Sequence, residues 1–377
     1  MQARTKLKIL YVSPNGYLGG AEKFVLTACL AHQQRGNDEV AILFFSEGEA
    51  VDWARTNGIT CFVLKQKFRL LNLWSLLKAL REMRSIVKKH SPQILNLTMP
   101  YSHITLSLAT LGMNLKKVWF QHGPVGGLLD RIANLFPVNM IWYNSEYLKQ
   151  QHHQTWPRAC IKNDEHIIHL GIELPAKTPK KALDKTVVFG MAGRICELKG
   201  FHHVIQALGE LKKEIPVLKP FKLKIAGSAK SPSDQLYQSS ILQLVKNQHL
   251  ENEIEFLTHQ KNMNEFYPQI DVLLHASIIP EAFGLVIAEA MSYGVLVLGP
   301  SEGGAGDILI NEKTGLTFNA TSDQAVMELK TRLKFLLQAG QNLDSDYFSN
   351  LRNNARNLIE TQYSVKAMMD QIEKLYQ

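Results

Sequence analysis

The sequence predicts an α/β protein of two doubly wound, Rossmann-like domains facing across a cleft, and three observations carry that prediction. At 377 residues the chain exceeds what one hydrophobic core usually organises. Short β-rich apolar runs alternate with helical stretches along its length, the pattern of parallel sheets covered by helices. That alternation breaks at Leu174–Lys181, where two prolines and three lysines without apolar periodicity read as an interdomain linker.

Before the break, strands are expected at Leu7–Ser13, Glu39–Phe44, Thr60–Leu64, Gln93–Leu97, Val118–Gln121, Met140–Tyr143 and His166–His169. The clearest helix among them is Asn72–His90, whose Leu73, Leu76, Leu77, Leu80, Met83 and Val87 share one face. After the break come Thr186–Met191, Phe221–Ala226, Glu253–Leu257, Val272–His275, Val295–Leu298 and Leu316–Phe318, then helices near 321–339, 347–360 and 364–376. The domains are therefore drawn at 1–172 and 173–360, with 361–377 as a terminal helix. Open sheets of this kind take ligands at the carboxyl ends of their strands.

Three strand-to-helix junctions carry residues suited to an anionic ligand. The first, Ser13 to Glu22, places Gly19 and Gly20 at a helix start, where backbone N–H groups can approach an oxyanion. A tight turn explains the same residues equally well. The second, Gly193 to Gly200, sets Arg194 and Lys199 five residues apart after a strand, as two cations for a diphosphate or as solvated surface charge. The third runs from Pro280 to Met291. Glu281 lies in its loop and Glu289 two turns into the following helix, with the N–H groups near Phe283, Gly284 and Leu285 at the helix mouth. Carboxylates accept hydrogen bonds from adjacent sugar hydroxyls, so a phosphate between two of them reads as a sugar nucleotide. His122, between a strand end and Gly123-Pro124, is placed at the cleft rim rather than in a core.

Other chemistries lack their signatures. Neither GxGxxG nor GxxxxGK[ST] occurs, the thirteen histidines show no HExxH spacing, and the four cysteines form no CxxC pair. No metal site is expected. Asp344-Ser345-Asp346 has a DxD form but precedes a helix without a strand to aim it, and helix N-capping is its better explanation.

These clusters, in this order, resemble glycosyltransferase family 4, the retaining enzymes of the GT-B architecture. The likeness rests on Gly19-Gly20-Ala21-Glu22, His122-Gly123, Asn144-Ser145-Glu146, Gly171-Ile172-Glu173, Gly193-Arg194, Lys199-Gly200 and the Glu281/Glu289 pair in its Phe-Gly-Leu…Glu-Ala-Met setting. The resemblance implies that the second domain holds a nucleotide-diphosphate sugar and the first an acceptor, a glycan or lipid-linked glycan. Arg194 and Lys199 would bind the pyrophosphate, Glu281 the sugar hydroxyls and Glu289 the ribose. His122 would contact the sugar near the reacting carbon, and Gly20 would lie near the phosphates. It further implies hexosyl transfer with retention, a UDP- or GDP-sugar donor, no metal and no cofactor, and a terminal helix crossing back to the first domain. Two positions depart from the family pattern: Thr258-His259 near the expected base pocket, and Asp307 where a glutamate is usual.

Charge is uneven. Residues 1–172 hold 20 Lys/Arg against 11 Asp/Glu, whereas 173–377 hold 22 against 23. The basic half suits an anionic partner, or serves solubility alone. No aromatic-basic motif supports nucleic acid. The stretch from Lys65 through Trp74 to Lys89 mixes basic with apolar residues, reading either as peripheral contact with an anionic membrane or as an ordinary helix with a solvated outer face. With no 20-residue apolar run and no signal-peptide pattern, the expected location is cytoplasmic, at most peripheral to the inner membrane face. A nucleotide-sugar-binding protein without turnover is the alternative of a different class.

Overall fold

A computed structural model describes residues 6–156, 164–175, 186–215, 219–257, 260 and 262–376. Thr258, His259, Cys160 and the linker from Ala176 onward lie outside the described residues. The chain divides into two units, Met1–Gly171 with Val365–Gln377, and Ile172–Ser364.

The first unit runs β1 (Lys8–Ser13), α1 (Gly20–Arg35), β2 (Glu39–Phe44), α2 (Glu49–Thr56), β3 (Thr60–Val63), α3 (Leu73–His90), β4 (Ile94–Thr98), α4 (Met99–Ala109), β5 (Lys116–Gln121), α5 (Leu128–Ala133), β6 (Met140–Tyr143), α6 (Glu146–Thr155) and β7 (Asp164–Ile167). The second runs β8 (Val187–Ala192), α7 (Phe201–Glu214), β9 (Phe221–Ala226), α8 (Pro232–Asn247), β10 (Ile254–Leu257), β11 (Val272–Leu274), α9 (Leu285–Ser292), β12 (Leu296–Pro300), β13 (Leu316–Phe318), α10 (Ala325–Ala339) and α11 (Asp346–Leu358). α12 (Val365–Tyr376) returns to the first unit.

Each unit is a doubly wound parallel sheet, ordered β3-β2-β1-β4-β5-β6-β7 in the first and β10-β9-β8-β11-β12-β13 in the second. The strands are near-continuous apolar runs because helices cover both faces of a parallel sheet. In β1, for example, every residue from Ile9 to Ser13 is buried. The strand order reverses between β1 and β4 and between β8 and β11, the switch points outside whose strand carboxyl ends sheets of this kind take ligands.

The expected strands are present with small shifts in their bounds; the seventh, expected at 166–169, is Asp164–Ile167. The apolar stripe of α3 is a sharper difference. Ala79, Met83 and Val87 are buried, but Leu73 and Leu77, expected on the same covered face, are exposed. Ser345 is the N-cap residue of α11, yet its side chain makes no capping bond. Asp344 lies 3.6 Å from Arg352, and Asp346 is the acidic first residue of α11. Residues 361–364, expected with the terminal helix, pack with the second unit, where Ile172 N–H donates to the Tyr363 carbonyl at 2.7 Å.

α12 completes the first unit through its apolar face and two polar ties. Met368, Met369 and Ile372 are buried, the Tyr376 hydroxyl accepts from Asn96 Nδ2 at 3.0 Å, and its ring stacks on Trp142. Arg35 of α1 reaches Asp370 at 2.8 Å and Glu373 at 3.1 Å. Among the described residues no helix is long and apolar enough to cross a membrane.

Truncating Ile372 to Ala leaves a cavity under α12 and should cost about 2–5 kcal/mol, read as a lower urea midpoint for the transition of the first unit. An unchanged midpoint would mean that α12 does not close this core.

Acid should loosen the same unit. Burial pushes the imidazoles of His103 and His152 down to about 4. His103 stacks on Trp119, while His152 sits between the Tyr143 hydroxyl at 2.6 Å and Asn134 Oδ1 at 3.0 Å. Unfolded, each imidazole titrates near ~6.5. Between that value and about 4 the unfolded chain binds protons that the folded chain refuses, so stability is full above ~6.5 and falls as pH drops through this window. Thermal melts across the window should show that slope, and His103→Phe should make it shallower. An identical slope in the variant would contradict the assignment.

Candidate active site

In the second unit, the two junctions singled out in the sequence leave adjacent central strands at the switch point. β8 and β11 pair in parallel, Val272 against Phe189 and Leu273 against Gly190, so the loops that follow emerge side by side. The loop after β8 ends in a single 3₁₀ turn, Glu197–Lys199, and Gly200 then turns the chain into α7. Gly200 adopts φ 63°, and a Cβ there would lie 1.9 Å from the Ala276 carbonyl oxygen. Glycine is therefore required both for the left-handed turn and for the close approach of the two loops. A backbone bond from Ile278 N–H to Leu198 O, 3.0 Å, stitches them together.

The loop after β11 is anchored on its far side by the chain after β12. Gly304 N–H donates to the Glu281 carbonyl at 2.7 Å, and Gly303, at φ 76°, passes so close that a Cβ would sit 2.7 Å from that oxygen. These ties fix the backbone that carries Glu281.

Three donors converge on one oxygen of the Glu281 side chain. Ser277 Oγ donates to Oε1 at 2.5 Å, His275 Nε2 lies 3.0 Å from it, and Lys199 Nζ forms an ion pair with it. Among the described residues no donor reaches Oε2. Burial alone would raise this carboxyl; the hydrogen bond and charge of His275 and the Lys199 ammonium outweigh it and hold the carboxyl well below the usual carboxylate range. The side chain is thus an oriented carboxylate in a mostly dry setting, where electrostatic contacts are stronger than in water.

Arg194 and Glu289 have other partners. The Arg194 guanidinium is half exposed, with Nε 3.7 Å from Asp234, the residue that completes the capping box of α8. Gly193 brings its own backbone near the Lys199 side chain, a Cβ there lying 4.0 Å from Lys199 Cε. Glu289, about one turn into α9, accepts from the Tyr267 hydroxyl at 2.8 Å. Phe283 is buried with its ring toward Tyr363, so its backbone rather than its side chain serves the helix mouth, together with Gly284 as N-cap and Leu285 as first helical residue. Asp307, in the short turn after Gly303, accepts through its carbonyl from the Tyr363 hydroxyl.

In the first unit, Gly19 N-caps α1 and Gly20 opens it at the end of β1. The junction is braced by Glu22, a buried carboxylate that accepts from Ser13 Oγ at 3.0 Å and Asn15 Nδ2 at 3.3 Å. Burial raises the pKa of Glu22 despite these bonds. His122 corrects an expectation. Only 8% exposed, it lies against Phe120 and Phe24 at ring distances of 3.9 and 5.2 Å rather than on a rim. Burial pushes its pKa down to about 3, and among the described residues neither ring nitrogen has a hydrogen-bond partner. It is a neutral imidazole with two unspent polar atoms.

Sequence reasoning missed His275, Ser277 and Tyr267 as parts of these sites and gave Glu22, named in the first motif, no role of its own. A polar His-Ala-Ser directly after an apolar strand was the available signal for the first two, whereas Tyr267 carries no local mark.

Known proteins match this arrangement. Residues 175–358 match the family described as glycosyl transferases, group 1. A curated relative, the N-acetyl-alpha-D-glucosaminyl L-malate synthase of Bacillus anthracis, is 29% identical over 185 residues, which span 48% of this chain and 42% of that relative. Among solved structures, HepE of Anabaena, crystallised with UDP and glucose, has a TM-score of 0.82 at 19% identity over 98% of this chain and 99% of that one. A glycosyltransferase of Rickettsia africae gives 0.82 at 20% identity, over 99% and 98% of the two chains. The two Rossmann-like sheets are those of the GT-B fold, and residues 175–358 are similar to the group 1 glycosyl transferases.

Proposed function

We propose that the protein is a retaining, metal-independent glycosyltransferase that moves a hexose from a nucleotide-diphosphate donor to a glycan or lipid-linked glycan. The observation that carries this reading is the Glu281 carboxylate, fixed through Oε1 by Ser277, His275 and Lys199, with no donor from the described residues on Oε2. A carboxylate oriented in this way is suited to accept hydrogen bonds from sugar hydroxyls through Oε2.

Departure of a nucleoside diphosphate develops negative charge on the leaving phosphate. Arg194, Lys199 and the N–H groups at the mouth of α9 are the groups suited to stabilise it, and fixed donors of this kind act more strongly on the developing charge than on the ground state. With cations and backbone dipoles answering the diphosphate, no metal is required in this scheme. Glu289, oriented by Tyr267, suits the ribose hydroxyls. UDP is the favoured nucleotide because HepE, similar in fold, was crystallised with UDP and glucose. His122, neutral and with unspent nitrogens, suits a sugar hydroxyl as donor or acceptor. Retention follows from front-face attack, in which the leaving phosphate helps to take the acceptor's proton. The basic first half suits a phosphate-bearing acceptor.

The test is incubation with a panel of radiolabelled UDP- and GDP-sugars, following transfer and donor cleavage. Glu281→Gln and Lys199→Ala should each slow turnover by the equivalent of about 2–4 kcal/mol of barrier, roughly 30- to 1000-fold, with thermal melts near wild type. Wild-type turnover in well-folded variants would refute the assignment, and donors that bind without any cleavage would show a binding protein instead.

Chelation should leave the rate unchanged. Loss of activity in EDTA, restored by a divalent cation, would overturn the metal-independent scheme.

A further inference from the structure

The covered stripe of α3 ends too early. Toward its C-terminus the helix packs into the core, but at its start Leu73 and Trp74 are 64% and 79% exposed, and Leu71 in the preceding loop is fully exposed. Asn72 separates them, its side chain capping the helix by accepting from Ser75 N–H at 3.1 Å, so the exposed residues sit on a formed helix start. Beside them, Arg69, Leu70, Leu71, Asn72 and Tyr101 line an open hollow of about 490 Å³.

Single exposed leucines are ordinary, but a contiguous set with a tryptophan is not. Its electrostatic setting is mainly positive. Residues 65–82 hold five cations, Lys65, Lys67, Arg69, Lys78 and Arg81, all exposed, against one acid, Glu82, which accepts from Lys65 N–H at 3.0 Å. We infer that the start of α3 and the loop before it dock peripherally on an anionic lipid bilayer. Leu71, Leu73 and Trp74 enter the boundary between headgroups and acyl chains, and the cations lie among the headgroup phosphates.

Charge complementarity and shape select this occupant. A net positive group of exposed cations around apolar side chains matches an anionic interface, and tryptophan favours that zone because its ring is apolar with one polar N–H. Trp74 is mostly exposed and Leu71, at the open hollow, is fully so, and a fluid bilayer accommodates such side chains without a preformed complementary surface. The excess of positive charge in residues 1–172 adds long-range attraction of the same sign. This inference is independent of the transferase reading and of every residue assigned to it.

The experiment is vesicle flotation of the purified full-length protein. It should float with mixed phosphatidylcholine–phosphatidylglycerol vesicles, stay behind with phosphatidylcholine alone, and release as salt is raised. Leu71→Ser/Trp74→Ser should abolish flotation at moderate salt. Lys67→Gln/Arg69→Gln/Arg81→Gln should weaken partition by roughly fivefold per cation. The charge-matched control Lys246→Gln/Lys313→Gln/Lys334→Gln, exposed lysines of the second unit, should float like wild type. Circular dichroism verifies that each variant folds. Equal binding to neutral vesicles, flotation of the patch variants at wild-type levels, or equal loss in the control would overturn the inference. So would vesicle-independent self-association abolished by Leu71→Ser/Trp74→Ser, which would make a second copy the occupant.

Discussion

A carboxylate taken out of water must be answered by donors, and in the second unit Glu281 receives three on one oxygen. The surrounding local structure follows from that requirement. Lys199 reaches it because Gly200 allows the loop after β8 to press against Ala276. His275 and Ser277 reach it because β11 ends immediately before them, and the Glu281 backbone is held from behind by Gly303 and Gly304. Lys199 and His275 sit on backbone that is itself hydrogen-bonded, so the carboxylate is oriented before any ligand arrives. Preorganisation of this kind makes a charged group useful in a reaction, because its alignment has been achieved during folding.

The first unit keeps several buried titratable groups neutral. His103, His122 and His152 are kept neutral by burial, and Glu22 is pushed toward its neutral form. Its buried Asp38 lies 3.1 Å from His32, and further charge lies in the cations around α3 and in the Arg35 pairs that secure α12. The second unit therefore concentrates fixed charge at its switch point, while the first presents neutral polar groups near the carboxyl ends of β1 and β5.

Much of this was legible in the sequence, and the exceptions have physical causes. Strands such as Glu39–Phe44 and Phe221–Ala226 are readable because parallel strands buried on both faces are written as unbroken apolar runs. Lys199 and Glu281 stood out because cations and acids beside glycines at strand ends are hard to explain by packing. His275 did not, since a histidine after Val-Leu-Leu reads as the last residue of the strand. His122 was misjudged because Gly123-Pro124 suggests an exposed turn, whereas aromatic rings before it in sequence and from α1 enclose it. Periodicity assigned Leu73 and Leu77 to a covered face, but it reports which residues share a face of α3 and not how far the core extends beneath them.

A structure of the protein with an unhydrolysable UDP-sugar would test the central claim most directly. The account predicts the diphosphate against Arg194, Lys199 and the mouth of α9, with a sugar hydroxyl within hydrogen-bond distance of Glu281 Oε2 while Oε1 keeps its three partners. A nucleotide bound elsewhere, or a Glu281 carboxylate turned away from the sugar, would contradict it.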